Sequence, residues 1–310
     1  FYSYTLSIGL FKKGLLQDKA LPHVGKLVRI DIGLPPKLVS EYCSGSALIL
    51  SSKDLFSLPF PTPASNSYKY KRGRVLLLVG SDIYLGAGSL ALQGALASGV
   101  GSVNAVIPKS LSESLWEIFP EVLISGLMKT SSEGKALLAS SLNEQDFKQA
   151  DSVLIGPGIG VSNEKWEDSE SLLADYSGLL VIDADAINRI AASSKGWRWL
   201  LNRQGPTWLT PHKKEFNILF PDLTDLEPLE AASTAARLSE STILLKGAHS
   251  VIASPRGELW QLADTASSSA RIGLGDVLAG FAAGIGALSL SVCKGNQSHF
   301  LAASALLHSQ

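Results

Sequence analysis

The chain has 310 residues, 45% of them hydrophobic, and a formal charge of −1, which suits one large domain or one domain plus a fragment and excludes a nucleic-acid face or a polybasic membrane patch. Its two cysteines, Cys43 and Cys293, are far apart and in no metal-ligand spacing, which excludes a disulfide scaffold and fits a reducing cytoplasm. No apolar stretch reaches the roughly 18 residues of a membrane span, and Phe1 opens no signal-peptide pattern, so the chain reads as a piece of a longer protein.

In chain order, "GKLVRIDIGLPP" ends as a strand running into Pro35-Pro36. The Ser/Pro-rich stretch "SSKDLFSLPFPTPASNS" (51–67) has little periodicity, which puts a linker or boundary between residues 36 and 70. "GRVLLLVGS" (73–81) predicts a strand, and "AGSLALQGALASG" (87–99) a helix ending at glycine. "SVNAVIP" (102–108) predicts a strand, and "DSVLIGPGIG" (151–160) and "GLLVIDADAIN" (178–188) each a strand followed by a loop. "PTWLTPHKKEFNILF" (206–220) reads as a short strand, Thr-Pro punctuation and a helix, and "STILLKGAHSVIAS" (241–254) as two strands around Lys246-Gly247. The last helices are expected near 276–288 and 297–308. Strands alternating with helices imply an α/β fold, and strands apolar throughout imply a largely parallel sheet covered on both faces. No internal repeat is visible.

In an open parallel sheet, ligands bind at the carboxyl ends of strands. Gly80–Gly88, Gly156–Gly160, Asp183–Asn188, Thr210–Glu215 and Lys246–Ser250 all fall at such ends, and their shared placement marks the site. In "GLGD", Gly273 and Gly275 permit close approach of backbone to a ligand, and the helix that follows offers free N–H groups suited to phosphate. Asp276 then either complements the helix dipole, worth about 0.3–1 kcal/mol, or acts as a general base, worth roughly 10²–10⁴ in rate. His212 and Glu215 share one turn. They read either as a solvated first turn with a capping-type glutamate, or as a substrate contact and an outer-shell magnesium contact. Asp183 and Asp185 follow an apolar strand and must meet a ligand, a metal or a backbone donor, unless they serve a turn and N-cap. "IGPGIG" is by itself a tight turn around Pro157. Lys246 either meets a phosphate or snorkels from a hairpin. His23, His249, His299 and His308 have no partner legible in the sequence and read as structural.

In order, "GRVLLLVGSDIYLGAGSLALQGALASGVG", "DSVLIGPGIG", "VIDADAIN", "LTPHKKEFNIL", "LLKGAHSVIASPRGELW" and "GLGDVLAGFAAGIGAL" resemble the ADP/ATP-dependent NAD(P)H-hydrate dehydratases, a branch of the ribokinase-like fold. The resemblance covers most of residues 70–290 and implies a three-layer αβα sandwich around a mostly parallel sheet. It implies that residues 41–310 form the dehydratase domain. Residues 1–40, through "SYTLSIGLFKKGLLQ" and "GKLVRIDIGLP", resemble the last strands of a fused NAD(P)H-hydrate epimerase domain whose catalytic body is absent. "AASALLHSQ" resembles a family helix stopped early.

The reaction implied is a metabolite repair. A misplaced hydroxyl on the reduced nicotinamide ring of hydrated NADH or NADPH is phosphorylated from ADP, or from ATP, with magnesium, and phosphate then leaves. By the resemblance, Ala87, Gly158, His212 and Asp276 contact the hydrated dinucleotide, with Asp276 as base. Lys246, Gly247, Ala248, His249, Ser250 and Gly275 contact the nucleotide, and Glu215 lies near magnesium. A homo-oligomer, tetrameric as in the family, is also implied. Departures from the family pattern are Leu274 for a Thr, the run "ADTASSSARI" with Arg271 for small residues and a Gly-Asn pair, Tyr68 for a His, and "VGS" for Gly-Gly-Ser. Leu274 removes a hydroxyl but keeps its N–H. Two other functions share these residues: a ribokinase-like kinase that leaves its phosphate on a small alcohol, and a nucleotide-binding module without catalysis.

Overall fold

The structure is a computed structural model that describes residues 3–43, 45–56, 60–264, 271–293 and 298–309. Most of the distinctive run 263–272 therefore lies outside the described residues; Arg271 and Ile272 at its end are exposed.

β1 (Tyr4–Ile8) and β2 (Lys26–Ile30) pair in parallel as a small sheet of their own. The single turn α1 (Leu21–Val24) lies between them, and α2 (Pro36–Tyr42) follows, with proline in its first turn as helix geometry favours. The segment joining β1 to α1 rests on the rest of the molecule. Gln261 Nε2 donates to Leu16 O at 3.1 Å, and Lys19 pairs with Glu227 at 3.1 Å.

The main sheet collects β3 (Leu48–Leu50), β4 (Arg74–Leu78), β5 (Ser102–Pro108), β6 (Leu123–Thr130), β7 (Ala136–Leu137), β8 (Ser152–Ile155), β9 (Leu179–Ile182), β10 (Thr207–Leu209), β11 (Thr242–Leu245), β12 (Val251–Ala253) and β13 (Leu259–Leu262). Among the described residues its order is β3-β13-β12-β11-β10-β9-β8-β4-β5-β6-β7. Neighbours are parallel except at β11–β12, β12–β13 and β6–β7. Every residue of β8 and β9 is buried, as strands covered on both faces must be. β6, next to the edge strand β7, departs from the expectation of apolar, buried strands. Leu123, Ile124 and Leu127 are exposed there, while Met128 is buried.

Between the strands run α3 (Leu85–Ala97), α4 (Lys109–Ile118), α5 (Glu144–Gln149), α6 (Glu167–Asp175), α7 (Asp185–Ala191), α8 (Lys213–Leu219), α9 (Pro228–Ser239), α10 (Leu274–Val292) and α11 (Ser298–His308). They form two layers. Leu173, Ile187, Phe216 and Ala232 of α6 to α9 pack on one face of the sheet with Leu76, Leu78, Ile155 and Ile182. Leu92, Ala282 and Leu301 of α3, α10 and α11 pack on the other with Val75, Leu77, Leu154 and Val181. The alternation of Val75, Leu76, Leu77 and Leu78 between the two cores is the period-2 geometry of a strand. This is the expected three-layer αβα sandwich.

One expectation is corrected. At 19 residues, α10 is long and apolar enough by length and composition to cross a membrane. Most of it is buried within the fold, against α3 and α11, so its apolarity is that of a core helix. Gly94 of α3 and Gly280 of α10 explain the contact. A Cβ on Gly94 would collide with Val277 O, and one on Gly280 with Ala91 O.

Candidate active site

Five parallel strands in the middle of the sheet, β4, β8, β9, β10 and β11, end at the same rim, and each of the flagged segments leaves that rim. The glycine loop after β8 is threaded between neighbours. Gly80 N–H donates to Pro157 O at 2.8 Å. Gly158 has φ +68°, and a Cβ there would sit 2.8 Å from Ala87 Cβ, so the two expected substrate residues Ala87 and Gly158 touch. Arg189, 4% exposed, holds the loop from below: its guanidinium donates to Gly160 O and Ala136 O and pairs with Glu164 at 3.1 Å. Nothing in the sequence marked this arginine, which shares a short helix with Asp185 and Asn188.

The corner after β9 holds two carboxylates facing opposite ways. Asp183 is 1% exposed, and its Oδ1 accepts from Thr210 Oγ1 at 2.7 Å and from Lys246 Nζ at 2.8 Å. Asp185 Oδ2 accepts from the Gly160 amide at 2.8 Å. Ala184 between them has φ 49° and ψ −122°, a conformation that costs a non-glycine residue about 1–3 kcal/mol. The acid-rich loop therefore meets a cation and a backbone donor. The Lys246–Asp183 pair was not legible in the sequence, because it joins the ends of strands separated by two crossovers.

His212 and Glu215 adopt the capping arrangement. His212 Nδ1 accepts from the amides of Lys214 and Glu215 at 3.0 and 3.2 Å, and Glu215 Oε2 accepts from the His212 amide at 2.8 Å. The other Glu215 oxygen lies 3.3 Å from His212 Nε2. Burial raises the Glu215 carboxyl above its ordinary range against the pull of Lys246. Among the described residues no group of three His, Cys, Asp or Glu side chains is placed to hold a metal ion. Both Glu215 oxygens are turned to His212, so the observed role of this carboxylate is the capping one.

The loop after β11 is closed by Ser250, whose hydroxyl donates to Gly247 O at 3.0 Å and accepts from the Gly247 amide at 3.2 Å. Gly247 and Ala248 are exposed. The His249 ring is turned inward, with Nδ1 2.9 Å from Leu262 O, and burial lowers its proton affinity. That nitrogen is therefore engaged within the fold. Lys246 stays above the ordinary lysine range: burial pulls it down, but Asp183, Glu215 and Asp276 outweigh that pull.

α10 starts at this rim. Gly273 caps it with φ 89°; the Leu274 amide bonds back to Arg271 O at 3.5 Å and the Val277 amide to Gly273 O at 3.2 Å. The amides of Gly275 and Asp276 belong to the turn whose N–H groups point out of a helix. A Cβ on Gly275 would lie 3.4 Å from Lys246 Nζ, so the ammonium sits against this turn. Burial, reinforced by the negative charge of Asp183, pushes the Asp276 carboxyl up to about 6; Lys246 opposes this, and Asp185 and Glu215 add to it. Asp276 is a half-buried acid whose proton affinity is raised, beside the first-turn amides of α10 and a lysine. That is a combination suited to accepting a proton next to an anion.

The chain resembles proteins of one kind. It is 37% identical over 287 residues to the bifunctional NAD(P)H-hydrate repair enzyme Nnr of Synechocystis sp., covering 91% of this chain and 52% of that one. It is 36% identical over 303 residues to the Nnr of Gloeobacter violaceus, covering 96% and 57%. The chain thus spans about half the length of the curated relatives it matches. Its fold is ribokinase-like. A ribokinase-like superfamily protein from Enterococcus faecalis superposes with TM-score 0.68 at 26% identity, covering 86% of this chain and 87% of that one. The ADP/ATP-dependent NAD(P)H-hydrate dehydratase of Bacillus subtilis, co-crystallized with ATP/Mg2+, shares the fold with TM-score 0.66 at 23% identity, covering 85% and 88%. A profile of the NAD(P)H-hydrate dehydratases matches residues 75–310, the whole of the sheet from β4 onward with both helical layers, and the chain belongs to that family.

Proposed function

We propose that this chain is an ADP- or ATP-dependent NAD(P)H-hydrate dehydratase, with ADP the favoured donor. The observation that carries the reading is Asp276, an acid with its proton affinity raised to about 6, in the first turn of α10 beside Lys246. The hydroxyl of the hydrated nicotinamide ring gives its proton to Asp276 as its oxygen attacks the terminal phosphorus of the nucleotide. The bond from that phosphorus to the departing AMP or ADP breaks. The ring C–O bond then breaks, phosphate leaves with its electron pair, and the neighbouring carbon loses a proton to restore the ring double bond.

Ala87, Gly158 and His212 line the dinucleotide side in this reading. Lys246, Gly247, Ala248, the His249 backbone, Ser250 and Gly275 line the nucleotide side. The amides of Gly275 and Asp276 meet charge developing on the transferred phosphoryl group, where a single lost donor typically costs about 2.7–4 kcal/mol. Leu274 keeps its backbone in this turn, so the missing hydroxyl does not unmake it. Magnesium enters with the nucleotide, since that ion is held largely by phosphate oxygens and water; Glu215 meets it through water. Residues 1–40 are the tail of an epimerase unit and residues 41–310 the dehydratase, consistent with the bifunctional relatives. The setting is cytoplasmic and the assembly a homo-oligomer.

The test mixes the chain with hydrated NADH or NADPH, magnesium and either ADP or ATP, and follows near-ultraviolet absorbance. Recovery of NADH or NADPH is expected, with phosphate released in equal amount. A phosphorylated product that persists would instead make the chain a kinase. Nucleotide binding without turnover would make it a binding module.

A further inference from the structure

The buried carboxylate of Asp183 is assigned no part in the reaction above, yet it is the best-anchored acid at the rim. A single oxygen, Oδ1, receives Thr210 Oγ1 from the end of β10 and Lys246 Nζ from the residue after β11, at 2.7 and 2.8 Å. One atom thereby ties the ends of three adjacent strands. The strained Ala184 keeps this arrangement by sending Asp185 the other way, to the Gly160 amide. Lys246 needs such an anchor. Its four-carbon stem is flexible, and three acids face its ammonium: Asp183 just after β9, Glu215 on α8 and Asp276 on α10. His308 of α11 is a further titratable group close enough to sense its charge. Without Asp183 the ammonium would be drawn to the remaining acids, Asp276 among them.

Resting on the dehydratase reading for its catalytic consequence, we propose that Asp183 is a positioning residue that pins the Lys246 ammonium at the first turn of α10. There it meets the phosphoryl group of the incoming nucleotide and is kept from closing on Asp276 as an ion pair. Asp183 touches no substrate; it acts through Lys246. Thr210 supports it by fixing the same oxygen.

The test compares the full chain with its Asp183→Asn and Thr210→Val variants. With hydrated NADH and magnesium–ADP or magnesium–ATP, Asp183→Asn is expected to raise the nucleotide KM at least tenfold and lower kcat at least tenfold. The KM for hydrated NADH should stay within twofold. The acid limb of kcat/KM, set by Asp276, is expected to move down by about one pH unit, because a repelling charge is lost and Lys246 moves closer. Thr210→Val should shift each quantity in the same direction by a smaller factor, and it stands in if the asparagine variant does not fold. An unchanged nucleotide KM with an unmoved acid limb would overturn the proposal. Calorimetric titration of magnesium–ADP and magnesium–ATP separates this inference from the functional reading. If the wild type binds nucleotide but turns nothing over, the dehydratase reading fails, while a tenfold weaker Kd in Asp183→Asn still upholds the anchor and an equal Kd removes it.

Discussion

At the residue scale, Asp276 is the base in the proposed reaction and carries a measurable cost. Its carboxyl titrates near 6 in the fold and near 3.9 in an unfolded chain. Between those values the folded state binds more protons, so this residue's contribution to stability falls as pH rises through the window and is lowest above pH 6. Asp276→Asn should therefore stabilise the protein by about 1–3 kcal/mol at pH 8, as read by urea unfolding, and by almost nothing at pH 4. The same variant should lose about 10²–10⁴ in kcat while still binding nucleotide. Full activity in Asp276→Asn would remove it as the base. In the wild type, kcat/KM should fall on acidification with a midpoint near 6, because the base works only when deprotonated. The sequence placed Asp276 at a helix start but left open whether it served the dipole or the reaction. The raised proton affinity comes from burial and from Asp183, which no local pattern reveals. His249 is the reverse case. It stood inside a loop matched to nucleotide contacts, yet its ring binds Leu262 O on a different strand.

At the scale of elements, the glycines shared by α3 and α10 set where the first turn of α10 stands. Gly280→Ala would drive a methyl into Ala91 O, and should cost about 1–3 kcal/mol in denaturant unfolding as well as activity, since Asp276 lies one turn away. An unchanged midpoint would mean that the two helices can separate freely. The corner at Ala184 predicts the opposite sign: glycine takes its φ of 49° without strain, so Ala184→Gly should leave the protein as stable or up to about 1 kcal/mol more stable. The short helix α8 depends on its capping box. His212→Ala should cost about 0.5–2 kcal/mol, measured by thermal unfolding, and it would separate the structural part of His212 from any substrate contact if KM rises beyond that loss. The central strands and α3, α8, α10 and α11 were legible, because they announce themselves by period and punctuation. β3, β6, β7, β13 and the helices α4, α5, α6, α7 and α9 were not. β6 lies near the end of the sheet without the doubly buried pattern, and β13 is a short strand that pairs with its neighbour β12 on one side and with the distant β3 on the other.

At the scale of the whole molecule, a site assembled from five strand ends is a site that ligands should tighten. Magnesium–ADP or magnesium–ATP at one hundred times its Kd should add about 2.7 kcal/mol to stability and raise Tm by several degrees; no rise with either would count against a nucleotide site at this rim. The α/β class, the sheet's largely parallel sense and the family were all determined by the sequence itself. Strand and helix periods, glycine turns and the order of six motifs are local properties, carried by adjacent residues. What only the tertiary structure decided is which residues meet. Lys246 reaches Asp183 across 63 positions, Ala87 touches Gly158, and Asp276 is raised by burial and then by Asp183, Asp185 and Glu215. Pairings of that kind depend on strand order and on how deeply each charge is buried. Both follow from the close packing of the whole chain rather than from any stretch of it.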